Sequence, residues 1–307
     1  MGNIYNDITA TIGNTPLVRL NKIGAQYDVE LLVKLESFNP MGSVKDRIGL
    51  AMIEAAEKDG KITTGANIVE ATSGNTGISL AFVCAARGYQ LILTMPDNMS
   101  LERRKLLQLL GAEVVLTPAL TGMKGAIDKA EEILNQKSNS FMPSQFSNYA
   151  NPEIHERTTA EEIIRDTDSQ LDVFIAGVGT GGTLTGVVKR LKQNLPNLTA
   201  IAVEPTNSAI LSGDMPGPHM IQGIGAGFIP PILQVNLIDK IITVNDQTAV
   251  ETSRQLASEE GITCGISSGA AVAAALELAQ NTEFKGKRFV IILPDFAERY
   301  ISTPLFQ

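Results

Sequence analysis

Histidine is scarce in this chain of 307 residues, which contains only His155 and His219. With no CxxC or HExxH spacing, a histidine-rich zinc site has nothing to build on. A serine–histidine–aspartate triad would need one of the two histidines and a GxSxG elbow, and no such elbow is present. Any acid–base chemistry must therefore rest on another residue type. Cysteine is equally rare: Cys84 and Cys264 lie far apart, each inside an apolar run, the pattern of buried free thiols in a reducing compartment rather than of a disulfide. Positive charge is in deficit, with 25 Lys and Arg against 33 Asp and Glu and a net charge of −8. That balance argues against tracking a nucleic-acid backbone or an anionic membrane, both of which need a basic field. No uncharged apolar stretch reaches the ~18 residues of a membrane span, and the N-terminus lacks the basic-then-apolar order of a signal peptide. The expectation is a cytoplasmic protein with no nucleic-acid or membrane partner.

What is present is an ordinary globular composition, 44% hydrophobic and 19% charged, in a chain about twice the length of a typical domain. Strand-like and helix-like segments alternate almost throughout. "NIVEA" (67–71) precedes "GISLAFVCAARG", "QLILTMP" precedes "SLERRKLLQLLG", and "EVVLTP" precedes "GAIDKAEEILNQ". Further on, "LDVFIAGV" precedes "GTLTGVVKRLKQNL" and "AIAVEP", and "RFVIILPD" follows the helical "GAAVAAALELAQ". The strands are continuous apolar runs rather than alternating ones, as expected when helices cover both faces of a mainly parallel sheet. The fold class is therefore α/β, with twisted parallel sheets flanked by helices, and ligands belong at the carboxyl ends of the strands. The irregular stretch 141–156 is a candidate domain crossing. Residues 211–231 form a long loop rich in Gly and Pro, of a length usually reserved for function or mobility.

Three glycine-bearing loops follow strands or open helices. "ATSGNTG" (71–77) offers Ser73, Asn75 and Thr76 beside the free amides of a helix start, a nest suited to a carboxylate or phosphate and equally readable as a plain N-cap. "GVGTGGT" (177–183) satisfies G-x-G-x-x-G through Gly177, Gly179 and Gly182, with Glu204 closing the next strand, so a dinucleotide site and an NAD-dependent oxidoreductase are open readings. Thr180 and Thr183 add hydroxyl donors, and so dense a cradle suits a terminal phosphate monoester better than a bridging pyrophosphate. In "GISSGAA" (265–271), Ser267 or Ser268 reads as a helix cap.

The stretch "NPMGSVKDRIGLAMIEAAEKDG" (39–60) turns helical with Ile48, Met52, Ile53 and Ala56 at three- and four-residue steps. Ser43 and Asp46 read as a capping box, which puts Lys45 in the first turn, where the helix dipole disfavours a cation. A desolvated lysine there has its pKa moved down from about 10.4, and a neutral amine is what condenses with an aldehyde. The bland alternative is a surface lysine that snorkels into water. Beside a phosphate cradle and an anion nest, the lysine points to pyridoxal 5'-phosphate.

"NPMGSVKDRIG", "EATSGNTGISLA", "PDNMSLERRKLLQLLGAEVVLTP", "GMKGAI", "QFSNYANPEIHERTT", "AGVGTGGTLTG", "AVEP", "PGPHMIQGIGAGFIP" and "GISSGAA" together resemble the cysteine synthases (O-acetylserine sulfhydrylases). These belong to the β-family, fold type II, of pyridoxal-phosphate enzymes, with a tryptophan-synthase β-subunit-like fold. The likeness runs from "IGNTPLVRL" (12–20) to "ERYIST" (298–303). It implies a larger cofactor-binding domain from 1–44 and 149–307, and a smaller inserted domain, 45–148, that closes over the substrate. It implies that Lys45 forms the Schiff base and shuttles the α-proton, and that Asn75 bonds the cofactor's ring hydroxyl. Thr72, Ser73, Thr76 and Gln145 would hold the substrate carboxylate, with Gly225 beside the substrate. Gly179, Thr180, Gly181, Gly182 and Thr183 would cradle the phosphate, and Ser268 would face the pyridine nitrogen.

The implied reaction is β-replacement: O-acetyl-L-serine loses acetate to give an aminoacrylate, and sulfide adds to form L-cysteine. A serine at the ring nitrogen does not enforce a pyridinium, and the moderate electron sink that results favours expelling a β-leaving group. Cystathionine β-synthase-like condensation and cysteine desulfhydrase activity, which releases hydrogen sulfide, are alternatives on the same scaffold. The resemblance also implies a homodimer and a site able to accept the C-terminal tail of serine acetyltransferase. Two positions depart from the family pattern: Ala160 and Glu161 replace a usual Gly-Pro, and Phe296 and Ala297 replace a usual Ser-Gly. The second follows the last core strand and could alter the pocket rim or the pyridine edge.

Overall fold

In the computed structural model residues 4–307 are described. In chain order the first elements are β1 (Leu17–Arg19), β2 (Val29–Leu35), α1 (Lys45–Lys58), β3 (Asn67–Ala71), α2 (Asn75–Arg87) and β4 (Gln90–Pro96). Then come α3 (Leu101–Leu109), β5 (Glu113–Thr117), α4 (Gly122–Gln136), β6 (Ser140–Phe141), α5 (Ala150–Ile154) and α6 (Ala160–Asp166). A π-helical turn, His155–Thr159, joins α5 to α6. The chain continues with β7 (Val173–Gly177), α7 (Gly182–Asn194), β8 (Thr199–Pro205) and β9 (Lys240–Val244). It ends with α8 (Asp246–Glu260), α9 (Ile266–Ala279) and β10 (Lys287–Leu293).

The chain divides into two compact units. One comprises Lys45–Ala150 with the segment ending at Ile12, and the other comprises Gly13–Val44 with Asn151–Gln307. The sequence boundaries group all of residues 1–44 with the larger unit. The segment ending at Ile12 instead joins the smaller one, because its 3-10 turn at Ile8–Thr11 packs on α2.

The smaller unit holds a sheet ordered β5-β4-β3-β6, parallel throughout, with Val69 opposite Ile92. Those two side chains pack with Ala130 and Ile133 of α4. Its first helix starts at Lys45, which places that lysine in the first turn. Just before that helix, Ser43 forms a β-bridge with Asp295.

The larger unit holds a sheet ordered β1-β2-β10-β7-β8-β9, parallel except for β1 against β2. Successive side chains of a strand point to opposite faces, and both faces here are covered. Phe289, Ile291, Val173 and Ile175 enter one core with α8 and α9. Val290, Ile292, Phe174 and Ala176 enter the other with α6 and α7. That double burial is why β7 and β10 carry continuous apolar runs, and it presents the ends of β3 and β7 as the places where loops meet helix starts.

Candidate active site

Lys45 is half-buried and is the first residue of α1. Its carbonyl accepts a 2.7 Å hydrogen bond from Ser79 Oγ in α2. A Cβ added at Gly49 would stand 2.0 Å from that same hydroxyl, so glycine at 49 lets α1 and α2 approach closely enough to make the bond. The two helix starts, one bearing Lys45 and the other Asn75, are thereby locked together.

The loop leading into α2 holds the predicted substrate residues. Asn75 opens the helix, and the N-cap is Gly74, with no described side chain bonding back to cap it. Thr72 and Thr76 are buried, while Ser73 is half-buried. Arg103 of α3 donates to the Ser73 carbonyl at 3.1 Å. Gln145 joins this loop from 69 residues away: Thr76 Oγ1 donates to Gln145 Oε1 at 2.7 Å. With the amide oxygen engaged, what Gln145 can offer a ligand is its NH2 group, a donor suited to a carboxylate.

In the larger unit, Gly179–Thr183 spans the turn from β7 into α7. The N-cap is Gly181, in the left-handed region at φ +79°, again with no described side-chain cap. Close approach explains the other glycines. A Cβ at Gly179 would meet the Gly223 carbonyl at 2.2 Å, and one at Gly182 would meet Asn151 Oδ1 at 1.8 Å. Two residues that sequence reasoning missed aim the hydroxyls of this turn. Asn151 Nδ2 donates to Thr180 Oγ1 at 3.1 Å, and His155 Nε2 lies 3.2 Å from Thr183 Oγ1. Both are fully buried and sit four apart, Asn151 in α5 and His155 opening the π-helical turn that continues it, a spacing that places them on one helical face.

Gly225 runs alongside, its N–H donating to the Val178 carbonyl at 3.0 Å and its carbonyl 3.2 Å from His219 Nε2. Both histidines thus act as hydrogen-bonding residues. Ser268 is fully buried in α9. The cap of that helix is Gly265, with no described side-chain bond, which corrects the reading of Ser267 or Ser268 as a cap. Ser268 Oγ finds no hydrogen-bond partner among the described residues; its polar neighbour is the Cys264 thiol. A buried hydroxyl left this way costs free energy unless something arrives to meet it.

Glu204 is where the dinucleotide reading fails. Its carboxylate is buried and accepts from Leu211 N and Ser212 N, both at 2.9 Å, and from Ser212 Oγ at 2.6 Å. A ribose-binding acid must present its oxygens to the ligand, and these are spent on holding the following loop. Burial pushes the thiols of Cys84 and Cys264 up to about 12, and both are free.

The two family departures have structural settings. Ala160 is fully buried, and Glu161 pairs with Arg190 of α7 at 2.5 Å, so the helix runs on where Gly-Pro would interrupt it. Ala297 is buried, and the segment lies against the start of α9. Gly265 N donates to the Asp295 carbonyl at 3.2 Å, and a Cβ at Gly265 would strike Asp295 and Tyr300.

Comparison with known proteins defines the class. A family described as pyridoxal-phosphate dependent enzyme matches residues 8–295, and the chain belongs to that family. In particular, it is similar to cysteine synthase A of Escherichia coli (strain K12), with 56% identity covering 100% of this chain and 97% of that protein. It is similar to the crystal structure of a cysteine synthase (OASS) from Entamoeba histolytica, with TM-score 0.96 and 44% identity, covering 99% of this chain and 91% of that one. It is also similar to a hydrogen sulfide-producing enzyme from Fusobacterium nucleatum, with TM-score 0.92 and 46% identity, covering 97% of this chain and 100% of that one. The residues present fit the family's cofactor: a turn that only glycines allow for the phosphate, an unmet hydroxyl at Ser268, and a lysine opening a helix. Among the described residues no helix is long and apolar enough to cross a membrane.

Proposed function

We propose that the chain makes L-cysteine from O-acetyl-L-serine and sulfide, releasing acetate, with pyridoxal 5'-phosphate as cofactor. The observation that carries this reading is the lock between α1 and α2, Ser79 Oγ to the Lys45 carbonyl at 2.7 Å, which fixes an amine and an open helix start as one construction. When bound, the cofactor supplies a carbonyl for amines and an electron sink for negative charge at the substrate Cα. The protein's own residues do the rest. Thr72, Ser73, Thr76 and Gln145 orient the substrate carboxylate, and Asn75 bonds the cofactor's ring hydroxyl. The Lys45 amine would hold the cofactor through its carbonyl and, once the substrate amine has displaced it, would be the base for the α-proton, the role no histidine fills. Gly179, Thr180, Gly181, Gly182 and Thr183 hold the phosphate, and Gly225 borders the substrate. Ser268, a neutral hydroxyl, sets a moderate sink that favours losing acetate from Cβ over holding charge at Cα. The larger unit thus anchors the cofactor, while the smaller carries the lysine and the substrate-carboxylate loop.

Incubation with O-acetylserine and sulfide should yield cysteine and acetate in equal amounts, and Lys45→Ala should lower kcat by ~10³-fold or more. Full activity in that variant overturns the reading. A second reading, release of sulfide from cysteine, is favoured by the similarity to the Fusobacterium nucleatum enzyme. A kcat/KM for cysteine far above that for O-acetylserine would select it.

A further inference from the structure

Glu70 is a buried carboxyl near the end of β3 that the chemistry above leaves unused. Its Oε2 accepts from the Ser144 amide at 2.8 Å, and the Gln145 amide donates to it as well. The two amides belong to the turn that delivers Gln145 to Thr76. Ser144 is held at φ +56°, in the left-handed region that a residue with a Cβ adopts only when its surroundings insist. The turn is otherwise closed by its own backbone, Ser147 N to the Ser144 carbonyl at 3.0 Å, which fixes its shape and not its place. Glu70 supplies the place. It lies two residues before Thr72, so one strand end both leads into the Thr72–Thr76 loop and grips the Ser144–Gln145 amides.

A carboxyl is a costly choice here. Burial pushes it up to about 7, against the two amides that favour its ionised form. Such a cost is met where an acceptor serves two donors at once.

We propose that Glu70 is a positioning residue for the substrate carboxylate, holding the Ser144–Gln145 turn so that the Gln145 side chain stays bonded to Thr76. This rests on the reading that Thr72, Ser73, Thr76 and Gln145 receive that carboxylate. The holoenzyme and its Glu70→Ala, Glu70→Asp and Glu70→Gln variants test it by residue-resolved amide hydrogen exchange and by steady-state kinetics. In Glu70→Ala and Glu70→Asp, exchange at Ser144 and Gln145 should quicken about tenfold or more, with Ile68 and Val69 of β3 unchanged. KM for O-acetylserine should rise about tenfold while kcat stays within about threefold and the cofactor absorbance is unmoved. Glu70→Gln, which keeps an acceptor of the same length, should return KM to within about threefold of the parent. Unchanged exchange at the two amides overturns the proposal, and so does a rise that spreads equally through β3. If Glu70→Ala fails to fold, the Asp variant decides by the same criteria. If the parent enzyme makes no cysteine, the functional reading fails while the exchange result still decides whether Glu70 is the anchor.

Discussion

At the scale of single residues, Glu70 also governs a pH response. Burial penalises its charge and pushes its carboxyl in the folded chain up to about 7, from an ordinary value of 4.5. Between those pH values the folded protein keeps a proton that the unfolded chain has released. Stability from this group is therefore greatest at acid pH, falls as pH rises through the window and levels off above it, by a few kcal/mol at most. Urea denaturation at pH 5 and pH 8 should show the parent losing stability relative to Glu70→Gln as pH rises. A difference that does not change with pH refutes the assignment. Glu70, Asn151 and His155 were not legible in the sequence, because each acts through a partner distant along the chain: 74 residues for Glu70 to Ser144, 29 for Asn151 to Thr180, 28 for His155 to Thr183. The helix starts at Lys45 and Asn75 and the 179–183 turn were legible as local structure because they are written in consecutive residues.

At the scale of elements, α2, α7 and α9 share one device. Each has a glycine as its N-cap, a residue with no side chain to cap the first turn, although an ordinary N-cap side chain stabilises a helix by about 1 kcal/mol; at α7 Thr180 Oγ1 takes one amide, that of Gly182, at 3.3 Å. The donors left over are available to ligands. Ser268 near the start of α9 is a parallel case, a hydroxyl without a partner in its fully buried place. Ser268→Ala should leave the stability of the cofactor-free protein unchanged or raise it by up to ~1 kcal/mol, measured by urea denaturation, while altering turnover of the holoenzyme. A loss well beyond that size would make the hydroxyl a structural one.

The apolar strands and the amphipathic helices read clearly from the sequence, and β2, β9 and α8 did not. β2 carries Lys34, which is buried against Glu162 at 2.8 Å, a pairing no local pattern reveals. β9 is an edge strand with half-buried and exposed positions, and α8 is largely polar, with its few buried residues facing the core of the larger unit.

At the scale of the whole molecule, the surface of the smaller unit carries Leu116, Leu120, Met123 and Ile127 exposed, from β5 into α4. Exposed apolar side chains gathered this way mark contact surfaces, and the family resemblance implies a homodimer. Light scattering should report twice the chain mass, and a monomer would end that proposal. Added tail peptide of serine acetyltransferase should raise the apparent KM for O-acetylserine if the chain accepts that partner.

Cys84 and Cys264 are 1% and 3% exposed, and burial pushes their thiols up to about 12. Thiol–disulfide exchange proceeds through the thiolate and needs access. A protein that turns over sulfide works in a solution of reactive sulfur, and its own two thiols are kept out of that chemistry. Cystine or persulfides forming around the enzyme should leave it unmodified, so its redox tolerance is a property of where the fold keeps two side chains.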